Sequence, residues 1–171
     1  MANTHTLSRK TRRHIVKGMI GASALASSFS FATPVKSERT IDMAAVRHST
    51  LKVGPVTVFY REAGIEGNPV LLLLHGFANS SHYFRHLMPL LANRFHLIAP
   101  DLPSFGFTKV DGESYRYTFA QLTQTTQAFV DALALRRFAM YVFDYGAPIG
   151  FNLAVADPSR ITAIISQNGN A

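Results

Sequence analysis

The stretch Met140-Tyr141-Val142-Phe143-Asp144-Tyr145-Gly146-Ala147-Pro148 carries an apolar run into a carboxylate and leaves it through two small residues and a proline. The run before Asp144 reads as a buried strand. The segment after it reads as the first turn of a helix, where the N–H that Pro148 lacks had no intrahelical partner to lose. Asp144 therefore stands at a sharp strand-to-helix turn, and Gly146 and Ala147 are small enough for strand and helix to pack closely there. The free N–H groups and dipole at the helix start favour a negative charge, which makes the carboxylate a competent nucleophile. The plainer competing role is that of a helix cap, as Asp often supplies.

Outward from this turn, strands and helices alternate. Val70 to Leu74 is a continuous apolar run ended by His75-Gly76, the pattern of a strand covered on both faces. Tyr83, Phe84, Leu87, Met88, Leu90 and Leu91 recur at helical spacing, and Phe95 to Ala99 gives another short strand stopped by Pro100. Phe119, Leu122, Thr126, Phe129, Val130 and Leu133 mark an amphipathic helix; the strand Phe138 to Phe143, a helix from about Ala147 to Ala156 and the strand Ile161 to Ser166 follow. Upstream, Leu51 to Arg61 alternates around Gly54-Pro55 and predicts a hairpin at a sheet edge. This alternation predicts an α/β fold whose mostly parallel sheet is covered by helices on both faces. Ligands bind such sheets beyond the carboxyl ends of the strands. His75-Gly76-Phe77, Asp101-Leu102-Pro103 and Asp144-Tyr145-Gly146 are thereby placed on one rim.

With those three motifs in order, Val142-Phe143-Asp144-Tyr145-Gly146-Ala147 resembles the nucleophile elbow of the α/β-hydrolases, with Asp in place of the commoner Ser. His75-Gly76-Phe77 is similar to the family's oxyanion loop, and Pro100-Asp101-Leu102-Pro103-Ser104-Phe105-Gly106 resembles its Asp-x-Pro-Gly-x-Gly loop. The resemblance covers about Val56 to Ala171. It implies that Asp144 is the nucleophile, that the backbone amides of Phe77 and Tyr145 form the oxyanion hole, and that His75, Gly76, Asp101 and Gly146 shape the loops. An Asp nucleophile points to the epoxide hydrolase and haloalkane dehalogenase branch, acting on a small-molecule substrate with no cofactor or metal. A carboxylate attacking a saturated carbon leaves an ordinary alkyl ester, whereas attack on an acyl group would leave a reactive anhydride. Releasing that ester calls for a histidine-activated water.

Departures from the pattern bear on turnover and substrate. No histidine follows Asp144, and the chain ends soon after the strand Ile161 to Ser166. The expectation is a partial core of the fold over residues 50–171, without a lid domain, the late histidine or its acid. The alternative is an inactive remnant or a non-enzymatic ligand-binding scaffold. The family usually has Pro where Ala78 stands, Gly where Val142 and Ser104 stand, and commonly Trp where Tyr145 stands. With no tryptophan in the chain the usual indole halide donor is missing, and Phe77 cannot replace the Asn donor of many dehalogenases. A Tyr145 hydroxyl is the remaining candidate donor, and dehalogenation falls behind epoxide, ester or other hydrolysis. His82 and His86, four apart with no carboxylate beside them, are expected to be a solvated pair rather than metal ligands.

The first 32 residues follow another plan. Arg9, Lys10, Arg12, Arg13 and Lys17 precede a small, moderately apolar stretch from Gly18 to Phe31 and then Ala32, which is the layout of a signal peptide. Thr11 to Lys17 resembles the twin-arginine export motif, so export through that machinery to the periplasm or beyond is expected, followed by a linker over 33–49. The net charge of +7 would suggest an anionic partner, but five of the basic residues lie in this leader and 12 basic against 10 acidic residues remain. A nucleic-acid footprint is not expected. The absence of cysteine excludes disulfides, a thiolate nucleophile and Cys-ligated zinc.

Overall fold

The computed structural model describes residues 45–112 and 114–170. The leader and all but the last few residues of the linker lie outside them.

Strands β1 (Arg47–Val53) and β2 (Val56–Ala63) form the expected hairpin around Gly54, whose φ of 55° is one that glycine adopts freely. The first strand starts inside the segment read as linker. Arg47, His48 and Ser49 pair with Glu62, Arg61 and Tyr60, and the Arg47 guanidinium lies 3.5 Å from the Glu62 carboxylate. Five further strands follow: β3 (Val70–Leu74), β4 (His96–Pro100), β5 (Lys109–Val110), β6 (Phe138–Phe143) and β7 (Ile161–Gln167). The sheet runs β1-β2-β4-β3-β6-β7, with β5 against β2. β3 is parallel to β4 and β6, and β6 to β7; the hairpin joins antiparallel through β2 and β4.

The continuous apolar strands are explained by two separate cores. Leu72 and Leu74 of β3 point to one face, with Ile98, Met140 and Val142. There they meet Leu122, Phe129 and Val130 of α2 (Phe119–Ala132) and Ile149 and Leu153 of α3 (Gly146–Ala156). Leu71 and Leu73 point to the other face, with Leu97 and Ala99, against Phe84, Met88 and Ala92 around α1 (Leu87–Leu91). Each fully buried Leu or Phe contributes about 1.5–3 kcal/mol, so a strand loaded on both faces is held twice. Thr118 starts α2 by accepting a hydrogen bond from the Gln121 N–H, half of a Thr-x-x-Gln capping box.

One predicted helix is divided. The periodic residues 83–91 form a 3₁₀ turn at Ser81–Phe84 and then the five-residue α1. Pro89 sits in the first turn of α1, and its ring would collide with the Arg85 carbonyl if a single helix ran through both. β7 forms the other sheet edge, with Ile164 and Ile165 exposed.

Candidate active site

The strand ends bring the three predicted loops together. Asp144 follows β6 with φ at 47°, a left-handed conformation that a non-glycine residue holds only when its surroundings enforce it. The surroundings here are tight. A Cβ on Gly146 would strike the backbone of Leu74, and one on Gly150 would strike Val142 Cγ1. Val142 thus stands where the family has Gly because the small residue that close packing requires is supplied from the helix side, by Gly150.

The Asp144 carboxylate does not cap α3. Its Oδ1 accepts 2.7 Å hydrogen bonds from the backbone N–H of Phe77 and from that of Tyr145. The N-cap position of α3 is Tyr145, which makes no side-chain capping bond. Phe77 comes from the loop after β3, and Gly76 is what lets that loop approach. A Cβ on Gly76 would lie 2.6 Å from Asp144 Cβ and 2.9 Å from Oδ1. Among the described residues Oδ2 has no hydrogen-bond partner. One oxygen is therefore anchored by two amides from distant segments while the other is uncommitted.

His75 and Asp101 sit beneath this arrangement, both fully buried. His75 Nε2 accepts from the Leu102 N–H at 3.0 Å, so its proton is on Nδ1, which donates to the Gly76 carbonyl at 2.9 Å. Burial pushes its pKa below the ordinary histidine value, against smaller upward pulls from the Gly76 carbonyl and Asp101. With both ring nitrogens engaged, His75 fastens the β3 loop to the β4 loop and has no free nitrogen with which to act as a base. Asp101 fastens the β4 loop in turn. Its Oδ1 accepts from the Ser81 N–H at 2.7 Å and from the Ser81 hydroxyl, and its Oδ2 accepts from the Phe107 N–H at 2.8 Å. The buried Arg61 guanidinium lies 3.7 Å from Oδ1 and bonds to the Ser81 hydroxyl. A buried carboxylate requires such pairing.

Two loop residues take left-handed conformations where the family pattern differs. Ser104 has φ 80° at the family's Gly position, and Ala78 has φ 57° at its Pro position, a value closed to proline.

A cavity of about 400 Å³ opens on Asp144, lined by Phe119, Tyr145, Pro148 and Asn170 besides. Sequence reasoning placed Phe119 only as a helix-face residue and did not single out Asn170 or Arg61. Phe119 stands directly after the capping Thr118, at the end of α2 nearest the rim, and this was the available signal. Asn170, two residues beyond β7, had none. His82 and His86 are exposed on the surface, and no histidine lines the cavity among the described residues.

Comparison with known proteins identifies the fold. Residues 69–171 match the model of the alpha/beta hydrolase fold family. The chain belongs to that family. An uncharacterized hydrolase of Saccharomyces cerevisiae is 58% identical over 116 residues, which cover 68% of this chain and 40% of that protein. Among solved structures, the haloalkane dehalogenase DbeA of Bradyrhizobium elkani superposes with a TM-score of 0.69 at 30% identity, covering 73% of this chain and 42% of its own. A variant of a Vigna radiata epoxide hydrolase superposes at 0.65 with 29% identity, covering 71% and 38%. The chain thus spans about 40% of the length of the yeast relative.

Proposed function

We propose that Asp144 is the nucleophile of an α/β-fold hydrolase that forms an alkyl-enzyme ester, in the manner of an epoxide hydrolase or dehalogenase. The observation that carries this reading is the pair of 2.7 Å hydrogen bonds from the Phe77 and Tyr145 amides to Oδ1. They hold the carboxylate through Oδ1 and leave Oδ2 without a hydrogen-bond partner among the described residues, on a side chain that lines the cavity. Oδ2 attacks a saturated carbon, the bond from that carbon to halide or epoxide oxygen breaks, and the electron pair leaves with the departing atom. When water later attacks Cγ of the ester, charge develops on Oδ1, where two amide donors already stand.

That second step requires a base to take a proton from the water. No described histidine lines the cavity, so the described residues are expected to carry the first half-reaction and to stop at the ester. The same observation favours a second reading, a ligand-binding scaffold without chemistry. Incubation with a reactive epoxide or haloalkane and mapping of adducts by mass spectrometry separates the two. One equivalent of label on Asp144, lost in Asp144→Asn, is expected; a well-folded chain that never labels there refutes the nucleophile.

A further inference from the structure

We infer that the wall of the Asp144 cavity is a receptor for a flat aryl group, making the site selective for aryl-substituted over saturated electrophiles. This rests on Asp144 being the nucleophile and adds the substrate class.

Tyr145, the residue after Asp144, stands within a connected array of rings. Phe119 meets it edge-on at 4.9 Å and 60°, Phe77 lies tilted against it at 5.3 Å and 44°, and Phe105 stands edge-on at 6.2 Å and 77°. Phe105 also packs edge-on against Phe77 at 5.9 Å and against the buried His75 ring at 5.4 Å. The array is thereby tied to the loop network under the site. Phe119, Tyr145 and Pro148 give the cavity its aromatic and apolar lining, and Asp144 and Asn170 its other polar groups.

The outer rings are not used up in packing. Phe119 is 41% exposed although Leu122, Phe129 and Val130 of the same helix are buried, and Phe77 is 62% exposed. A guest that covers Phe119 and Tyr145 removes apolar surface from water whatever its shape. A flat ring additionally gains the offset or edge-to-face contacts that aromatic pairs favour over area alone, about 2- to 12-fold in binding per contact. A saturated ring of the same size gains only the area term.

With the aryl group against that wall, the side chain's electrophilic carbon is presented to Oδ2. For an aryl oxirane, the Oδ2–C bond forms and the oxirane C–O bond breaks. The electron pair moves to the oxirane oxygen, which takes a proton from water.

The test compares styrene oxide with cyclohexyloxirane on the full chain, following Asp144 adduct formation by mass spectrometry. Each rate is divided by that of the same oxirane with acetate in solution, which removes intrinsic reactivity. A normalised preference of about tenfold for styrene oxide is expected, falling at least about threefold in Phe119→Leu, which keeps apolar bulk and removes the ring. Adducts on Asp144 with equal normalised rates, or a preference unchanged in a folded Phe119→Leu chain, would overturn the aryl receptor and leave the nucleophile standing. No adduct on Asp144 from either oxirane overturns both.

Discussion

Replacing Gly76 with alanine tests whether the approach of the β3 loop to Asp144 matters to the chemistry. The added methyl would lie 2.6 Å from Asp144 Cβ and 2.9 Å from Phe143 Cδ1. Restoring an ordinary contact of 3.4 Å requires loop and elbow to separate by about 0.8 Å. Applied along the Phe77 N–H bond, that separation stretches 2.7 Å to about 3.5 Å, the outer limit of a hydrogen bond. Overpacking of this kind costs about 1–3 kcal/mol of stability. Loss of one of two anchors lets the carboxylate swing, and a misplacement near 1 Å lowers a positioned reaction by up to about 100-fold. The expectation for Gly76→Ala is therefore a folded chain, less stable in urea, that labels at Asp144 about 10- to 100-fold more slowly. Labelling within twofold of the unmodified chain, with folding verified by circular dichroism, would refute the argument that the two amides hold the nucleophile in place.

Other outcomes follow from the same geometry. Because burial lowers the His75 pKa, the unfolded chain takes up the proton first as pH falls. The contribution of the neutral imidazole is complete above about pH 6.5 and is lost below it, with a slope of at most about 1.4 kcal/mol per pH unit. Urea midpoints at pH 7.5 and 5.5 should show this loss, and His75→Asn should remove that component; identical pH dependence in the two chains would contradict a buried neutral ring. Ser104→Gly relieves a φ of 80° and should raise stability by about 0.5 kcal/mol after the entropy cost of glycine, read from the same melts, whereas a drop would mean that the serine side chain holds the turn. If the leader directs twin-arginine export, lysine at both Arg12 and Arg13 should leave the product in the cytoplasm on cell fractionation, and normal export of the folded product would count against that route.

The sheet was legible because its central strands are short, largely apolar runs, and only a strand covered on both faces accounts for Val70 to Leu74. The turn at Asp144 was legible from its small residues and Pro148. β5 was not, because Lys109 and Val110 pair with Thr57 and Val56 over a length too short to leave a periodic signal. The division at α1 could have been read from Pro89, whose effect reaches four residues back to Arg85. Arg61 was read only as the end of an edge hairpin, and its burial beside Asp101 and Ser81 depends on segments 20 and 40 residues away. The ring array escaped for a related reason. Phe77, Phe105, Phe119 and Tyr145 lie in separate loops or element starts, and only the strand ends bring them to one place.

The amides of Phe77 and Tyr145 have a tenant already, an oxygen belonging to the protein itself. An incoming ester or amide carbonyl, which would need the same two donors, finds the position taken. On the proposed reading of Asp144, discrimination between acyl and alkyl chemistry at this rim would come from occupancy, and a shorter side chain at position 144 would vacate the position for a guest's carbonyl.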